Sequence, residues 1–459
     1  MVWQPLSALT KRFFLITSFL LAGCATFSQD AGFGEVQNTT QQYIRQKPVW
    51  ANTVAQKAQN DSQVNKLLAE PLSADDAVQI ALLNNAALQA DFYDLQIAEA
   101  NMVQAGRLPN PGFSMLYARQ NGDYTIEQIL SLNIMALLVT PKAMEVEKSR
   151  FAATKHAVAQ RVLALANEAR RAYYDALAAK QRLHYLVQVK EVSAATAELA
   201  RRMQASGNWS ALDAARERAF YADTSVELRK AQHQQVATEE GLVRLLGLSD
   251  AAKLQLPERL ADLPANQDDL RHVTTEDFSK RLDLQQLRAN TDALAKSLGL
   301  TRTTRYINVL EFGPARVLDG RRSEPANKGF EIRFELPVFD WGTAKVKRAE
   351  AEYMQAMHQA AASAVIAASE VRTSYDFYRR SYDVAQQYRD EVLPLRGKIQ
   401  HEHLLRFNGM LVSPFELISD ARTQVLSVVS YIDALRDFWI AETQLEQSLI
   451  GKPMNQERN

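Results

Sequence analysis

The sequence predicts a mixed α and β chain, mostly helical, in which two copies of one repeat supply four β-strands and two long helical hairpins. Three observations carry this. Glycine (17) and proline (14) are scarce among 459 residues, so few breaks are available and long helices are favoured. Stretches of strict apolar–polar alternation come in two pairs, each pair followed by a long run of helical period. The two halves also match at a nearly fixed offset. Leu88 falls on Leu284 and Ala98 on Leu294; further along, Phe151 falls on Tyr353, Glu168 on Glu370, Arg170 on Arg372, Tyr173 on Tyr375 and Gly247 on Gly451. The offset lengthens between the strands of each pair, so the second repeat has the longer strand-connecting loop.

Residues 1–23 read as an export signal. Lys11-Arg12 precedes an apolar run over 13–22 that is too short to span a bilayer. Cys24 is the only cysteine, which excludes disulfides. Leu21-Ala22-Gly23-Cys24 resembles a lipobox, which implies acylation of Cys24. Ala25 after it points, by resemblance to bacterial lipoprotein sorting, to the outer membrane. A formal net charge of zero leaves no basic footprint for nucleic acid.

Residues 24–71 are polar and weakly patterned and read as an extended tether. Ser73 and Asp76 form an S-x-x-D box that opens a helix, and Asn84-Asn85 interrupts it. A second helix runs over 86–105. Strand candidates at 113–118 and 130–134 flank the turn signal Asn121-Gly122-Asp123. Pro141 suits the first turn of a helix, and neither proline nor glycine recurs until Gly207. A helix resumes over 211–246. Residues 250–276, with Pro257 and Pro264, read as a connector between repeat 1 (72–249) and repeat 2 (277–451), and 452–459 as a tail. Repeat 2 opens with a helix over 278–298. Strands follow at 306–312 and 330–336, joined by a charged loop over 318–328. In the last strand Phe330, Ile332, Phe334 and Leu336 share one face, and Glu331, Arg333 and Glu335 the other. Helices then run from about residue 345 to a bend over 410–414 and on to 450. Val425, Val428, Ile432, Leu435 and Trp439 form a seam of coiled-coil spacing.

A wall with one apolar and one charged face suits a membrane barrel, where the first meets lipid and the second water. Four strands cannot close a barrel, and an open edge in hydrocarbon costs several kcal/mol per unpaired group. If these strands lie in a membrane, the chain oligomerises.

Four segments resemble the TolC-like outer-membrane efflux factor family. Leu72-Ser73-x-x-Asp76-Ala77 with Asn84-Asn85 is similar to its opening helix. Leu336-Pro337-Val338-Phe339-Asp340-Trp341-Gly342 is similar to its strand-to-helix junction; the equivalent stretch, 134–140, lacks that signature, so the two repeats should enter their helices differently. Residues 207–213 and 406–417 look like its two hairpin tips, with Met410 in the usual glycine position. The resemblance implies a homotrimer with a twelve-stranded barrel and a periplasmic helical tunnel. It also implies a periplasmic adaptor and an inner-membrane transporter as partners, for which the trimer is the exit duct.

The resemblance assigns Glu416 and Asp420 to a constriction of the tunnel, and Gly207, Asn208, Ser210, Gly409, Met410 and Ser413 to adaptor contact. Glu331, Arg333 and Glu335 are candidates for the barrel lumen. No catalytic or cofactor motif stands out: G-x-S-x-G, H-E-x-x-H, G-x-x-x-x-G-K and C-x-x-C are absent. His401-Glu402-His403 reads as solvated or packing residues, since positions two apart lie on different helix faces. Tyr173 and Tyr375 read as seam packing. The rival reading is a lipid-anchored periplasmic coiled-coil adaptor or scaffold without a pore.

Overall fold

The computed structural model describes residues 26–251, 254–264, 281–306, 309–321 and 323–451. The signal segment, Cys24 and the tail lie outside the described residues, as does all of the connector beyond Pro264.

The elements are α1 (Phe33–Thr40), α2 (Val54–Leu67), α3 (Ala74–Asn84), α4 (Ala86–Ala105), β1 (Gly112–Gln120), β2 (Asp123–Asn133), α5 (Ile134–Ala205), α6 (Ala211–Leu245), α7 (Leu282–Thr304), β3 (Leu310–Gly320), β4 (Asn327–Phe334), α8 (Thr343–Gln387), a π-helical turn (Tyr388–Val392), α9 (Leu393–Asn408) and α10 (Pro414–Ile450). They divide into two compact units. One comprises the described residues within 1–36, 93–158 and 284–364; the other comprises those within 37–92, 159–283 and 365–459.

The first unit contains the sheet, four antiparallel strands in the order β1-β2-β3-β4. The β1–β2 hairpin turns on Asn121 (φ 52) and Gly122 (φ 96), positive values at both central positions, as a type I′ turn requires. Beyond it β2 passes straight into α5, where the Asn133 side chain accepts from Ala136 N at 3.0 Å. Pro141 therefore lies inside α5 and not in its first turn, because Asn133 caps the helix further upstream than proline statistics suggest. β4 instead leads through residues 335–342 before α8 begins, so the two repeats do enter their helices differently. At Gly342 (φ 68) an added Cβ would meet the Arg305 carbonyl oxygen at 2.9 Å.

β3 differs from the expected 306–312. Gly313 and Pro314 read as breakers, yet both lie within the strand and pair with Glu331 and Phe330. An added Cβ on Gly313 would fall 1.5 Å from the Leu130 carbonyl oxygen, so glycine is there for close backbone approach. The loop to β4 shrinks accordingly to residues 321–326.

The second unit is helical. The capping box of Ser73 and Asp76 is present, with Ser73 N donating to Asp76 Oδ2 at 3.0 Å. Asn84 donates to the carbonyls of Leu246 (3.0 Å) and Gly247 (2.7 Å), and Asn85 to that of Leu245 (2.9 Å). The helix break thus terminates α6. In the second repeat Arg281, 2% exposed, does the corresponding work: its guanidinium donates to the carbonyls of Ser448 (2.7 Å) and Ala367 (3.3 Å) and to Asp283 and Glu370.

The expected tether departs most from expectation. It folds into α1 and α2 and buries Val36, Ile44, Trp50 and Val64. In the second unit its backbone is clamped by two amides. Gln79 exchanges hydrogen bonds with Lys47 N (3.2 Å) and O (3.1 Å), and Gln89 with Ala51 N (2.9 Å) and Val49 O (2.9 Å). The connector is likewise held. Leu256, Leu260 and Leu263 are buried, Lys180 donates to Leu256 O (2.6 Å), and Trp439 Nε1 donates to Ala261 O (3.1 Å). Trp439 also stacks on Tyr174 at 5.6 Å.

The π-helical turn lies immediately before Pro394 in α9. It takes up the hydrogen-bond mismatch that a proline imposes on a continuing helix.

Candidate functional site

Strand register sorts the sheet into two faces. Phe113, Met115 and Tyr117 share a face with Ile126, Leu130, Leu132, Phe312, Phe330, Ile332 and Phe334. Much of this face is open: Phe113 is 66% exposed and Phe330 68%. Among the described residues nothing pairs with the outer edges of β1 and β4. The apolar surface continues below β4, where Leu336, Val338, Phe339 and Trp341 are exposed. No helix among the described residues is long and apolar enough to cross a membrane.

The opposite face carries the carboxylates of the strands. Arg333 donates to Glu331 (3.0 Å) on its own strand and to Glu311 (3.3 Å) across the β3–β4 pair. Glu335 lies just past the end of β4 and is exposed. Glu311, Glu127 and Asp319 share this face with Glu331, and Thr125 donates to Asp319 at 3.1 Å. These three carboxylates are absent from the candidates read from the sequence: the strand expected over 130–134 begins at Asp123 and so takes in Glu127, Asp319 fell in the expected loop, and Glu311 lay in a strand whose alternation is broken by Gly313 and Pro314.

Both hairpin tips in the second unit are built alike. After α5, Asn208 N donates to Met203 O (2.9 Å) and Gly207 N to Gln204 O (3.0 Å), with Gly207 at φ 77. After α9, Leu411 N donates to Arg406 O (2.9 Å) and Met410 N to Phe407 O (2.9 Å), with Met410 at φ 59. Each is a Schellman end with a left-handed residue, and each is followed three residues later by an N-cap serine, Ser210 or Ser413. Gly409, despite its identity, has φ −81. Gly207, Asn208, Ser210, Met410 and Ser413 are exposed, and an added Cβ on Gly207 would meet nothing within 4 Å.

No protein-family model matches the chain. It is 21% identical over 393 residues to the cobalt-zinc-cadmium resistance protein CzcC of Cupriavidus metallidurans, covering 83% of this chain and 90% of that one. Crystal structures of CusC, described with its transmembrane channel formation, superpose with a TM-score of 0.67 at 17% identity, over 85% of this chain and 92% of that one. The outer-membrane channel OprN gives a TM-score of 0.69 at 16% identity, over 90% and 95%. The chain has the TolC-like outer-membrane efflux channel fold.

Within that TolC-like fold, the two candidate constriction residues have different partners. Glu416 is exposed and closes the capping box of α10, accepting from Ser413 N at 3.1 Å. Asp420 is half-buried against His403 of α9. Beyond them lies a cavity of about 790 Å³ among α5, α6, α9 and α10, lined by Tyr185, Val189, Phe220, His401, Leu417 and Arg422 among others. Arg422 Nη2 donates to Glu217 at 2.6 Å, and the guanidinium sits 4.4 Å from the Phe220 ring centre. Glu217 is completely buried. Sequence reasoning missed this pair, because its members lie 205 residues apart.

Tyr173 is buried and donates to Leu72 O at 2.9 Å. Burial, with the nearby Asp76 charge, pushes its hydroxyl up to about 12. Tyr375 is half-buried. Among the described residues, no group of three or more His, Cys, Asp or Glu is placed to hold a metal ion.

Proposed function

We propose that the chain is the exit duct of a tripartite export system in the outer membrane of a Gram-negative bacterium. It passively conducts substrates from a periplasmic adaptor and an inner-membrane transporter to the exterior, and it catalyses no reaction. The observation that carries this reading is the sheet: two open edges and one exposed apolar face. In hydrocarbon every unpaired backbone group costs several kcal/mol, so the edges must be covered. Three copies supply twelve strands. Pairing β4 of one copy with β1 of the next removes every edge and turns the apolar face to lipid.

In this homotrimer Cys24 carries the lipid anchor, and Glu331, Arg333 and Glu335 line the barrel. Glu127, Glu311 and Asp319 add to the lumen's negative charge, which favours cationic cargo. Glu416 and Asp420 narrow the periplasmic end. Gly207, Asn208, Ser210, Gly409, Met410 and Ser413 meet the adaptor, where short side chains let backbones approach closely. The boundaries 24–71, 72–249, 250–276 and 277–451 mark the anchor segment, first repeat, connector and second repeat.

Carbonate washing of membranes bearing Cys24→Ala tests the barrel. A duct stays in the membrane without its lipid, whereas a lipid-anchored scaffold is released, and release refutes the reading. In planar bilayers, Glu416→Ala with Asp420→Ala should raise single-channel conductance and weaken cation selectivity. Unchanged values would remove these residues from the constriction.

A further inference from the structure

The apolar face of the sheet is interrupted by one row of a different kind. Met115 pairs with Gln128, Gln128 with Arg316, and Arg316 with Lys328. Arg316 and Lys328 therefore stand directly opposite each other on neighbouring strands, both exposed. Like charges in this position repel and weaken a sheet unless an anion lies between them. The strand residues of this face offer none. Besides Arg316 and Lys328 it carries Arg119, which lies over the Tyr124 ring at 5.3 Å, and no carboxylate. The carboxylates Glu127, Glu311, Asp319 and Glu331 alternate to the other face. The acid closest in register is Glu324 of the β3–β4 loop, which lies over Gly320. That is four residues from Arg316, or roughly 13 Å along the strand.

The height of the row bears on which anion could meet it. Between Lys328 and Phe334 six residues span roughly 20 Å of strand, which a tilt of about 40° reduces to some 15 Å of membrane depth. The apolar band of a membrane barrel is about 25 Å tall. The remaining depth lies beneath the strands, where Leu336, Val338, Phe339, Trp341 and Leu138 are exposed, Phe339 fully. The band thus runs from this apolar loop past the Arg316–Lys328 row to the adjoining Tyr117–Ile126–Leu318 row, and the two cations stand within one row of its outer boundary. Headgroup phosphates lie at that level.

We propose that Arg316 and Lys328, with Gln128 beside them, form a site on the outer wall of the barrel for the phosphate of an anionic lipid in the outer leaflet. This rests on the membrane-duct reading. Each protomer contributes a complete site, so a trimer binds three such lipids. They neutralise the paired cations and fix the depth of the barrel.

The test uses the full-length trimer reconstituted into phosphatidylethanolamine vesicles containing phosphorylated lipid A, or the same lipid A with its phosphates removed. Lipid A retained through detergent extraction is measured by mass spectrometry. The site predicts retention of the phosphorylated form only, weakened about thirtyfold in Arg316→Gln/Lys328→Gln, with channel conductance unchanged. Arg321→Gln, on the neighbouring loop, should retain the lipid. Equal retention by wild type and the double variant, or equal retention of both lipid A forms, overturns the proposal while leaving the duct intact. Failure of the wild-type protein to insert and conduct overturns both.

Discussion

Replacing Arg422 with methionine isolates the buried link between the two helical hairpins. Glu217 on α6 is completely buried; Arg422 Nη2 on α10 donates to its Oε1, and its Oε2 has no hydrogen-bond partner among the described residues. Methionine keeps an unbranched apolar stem but removes the guanidinium that lies over Phe220, and with it the charge. Breaking a buried ion pair on one side costs about 3–5 kcal/mol, because the remaining charge has neither water nor partner. A local opening made easier by about 4 kcal/mol exchanges amide protons roughly a thousandfold faster. Hydrogen exchange followed by mass spectrometry should find this in peptides from residues 213–224 and 417–428, and not in the sheet. The double variant Glu217→Gln/Arg422→Met removes the stranded charge and should recover most of the protection. The reasoning is refuted if Arg422→Met exchanges within about fivefold of wild type, since solvent would then reach Glu217 far more readily than its burial implies.

Met410→Gly should stabilise the second tip by about 1 kcal/mol, because methionine at φ 59 carries a left-handed penalty that glycine lacks; slower proteolysis at residues 408–413 is the readout. Gly313→Ala should block assembly, since its Cβ falls 1.5 Å from the Leu130 carbonyl oxygen; loss of the proposed trimer from membranes in chemical cross-linking would register it. Raising the Tyr173 pKa to about 12 favours the neutral hydroxyl in the folded state. Its contribution is complete below pH 10 and disappears as pH climbs through 12. Wild type should therefore lose about 2.7 kcal/mol more than Tyr173→Phe across that window in chemical unfolding.

The features legible in the sequence are those whose causes lie within a few residues. The Ser73–Asp76 box satisfies two donors locally, and Asn121-Gly122 alone dictates its turn. Asn84-Asn85 was legible as a break but not as a cap, since its carbonyl partners lie 160 or more residues away. Residues 37–72 have little pattern of their own, because their order comes from Gln79 and Gln89 on other elements. β3 was misplaced because Gly313 and Pro314 break most strands. Here the close approach of β2 selects the glycine, and pairing to β2 lapses at Pro314.

The two repeats meet the same structural demand with different chemistry. α6 ends at Gly247 (φ 67), where an added Cβ would meet Asn84 O at 2.6 Å; α10 ends at Gly451 (φ 97), where it would meet Asp283 Oδ1 at 2.5 Å. Both ends need donors for their last carbonyls. In the first repeat two neutral amides suffice. In the second, the position matching Asn85 is Arg281, whose charge is offset by Asp283 and Glu370. The solutions are therefore not interchangeable residue by residue. Ala87 stands where the second repeat has Asp283, so Asn85→Arg would bring a cation to this joint without its adjacent carboxylate. The expected loss is about 3–5 kcal/mol, and Ala87→Asp in the same chain should restore much of it. Thermal inactivation of the purified protein would measure both; indifference to the added aspartate would mean that the carbonyls, and not the carboxylates, hold Arg281 in place.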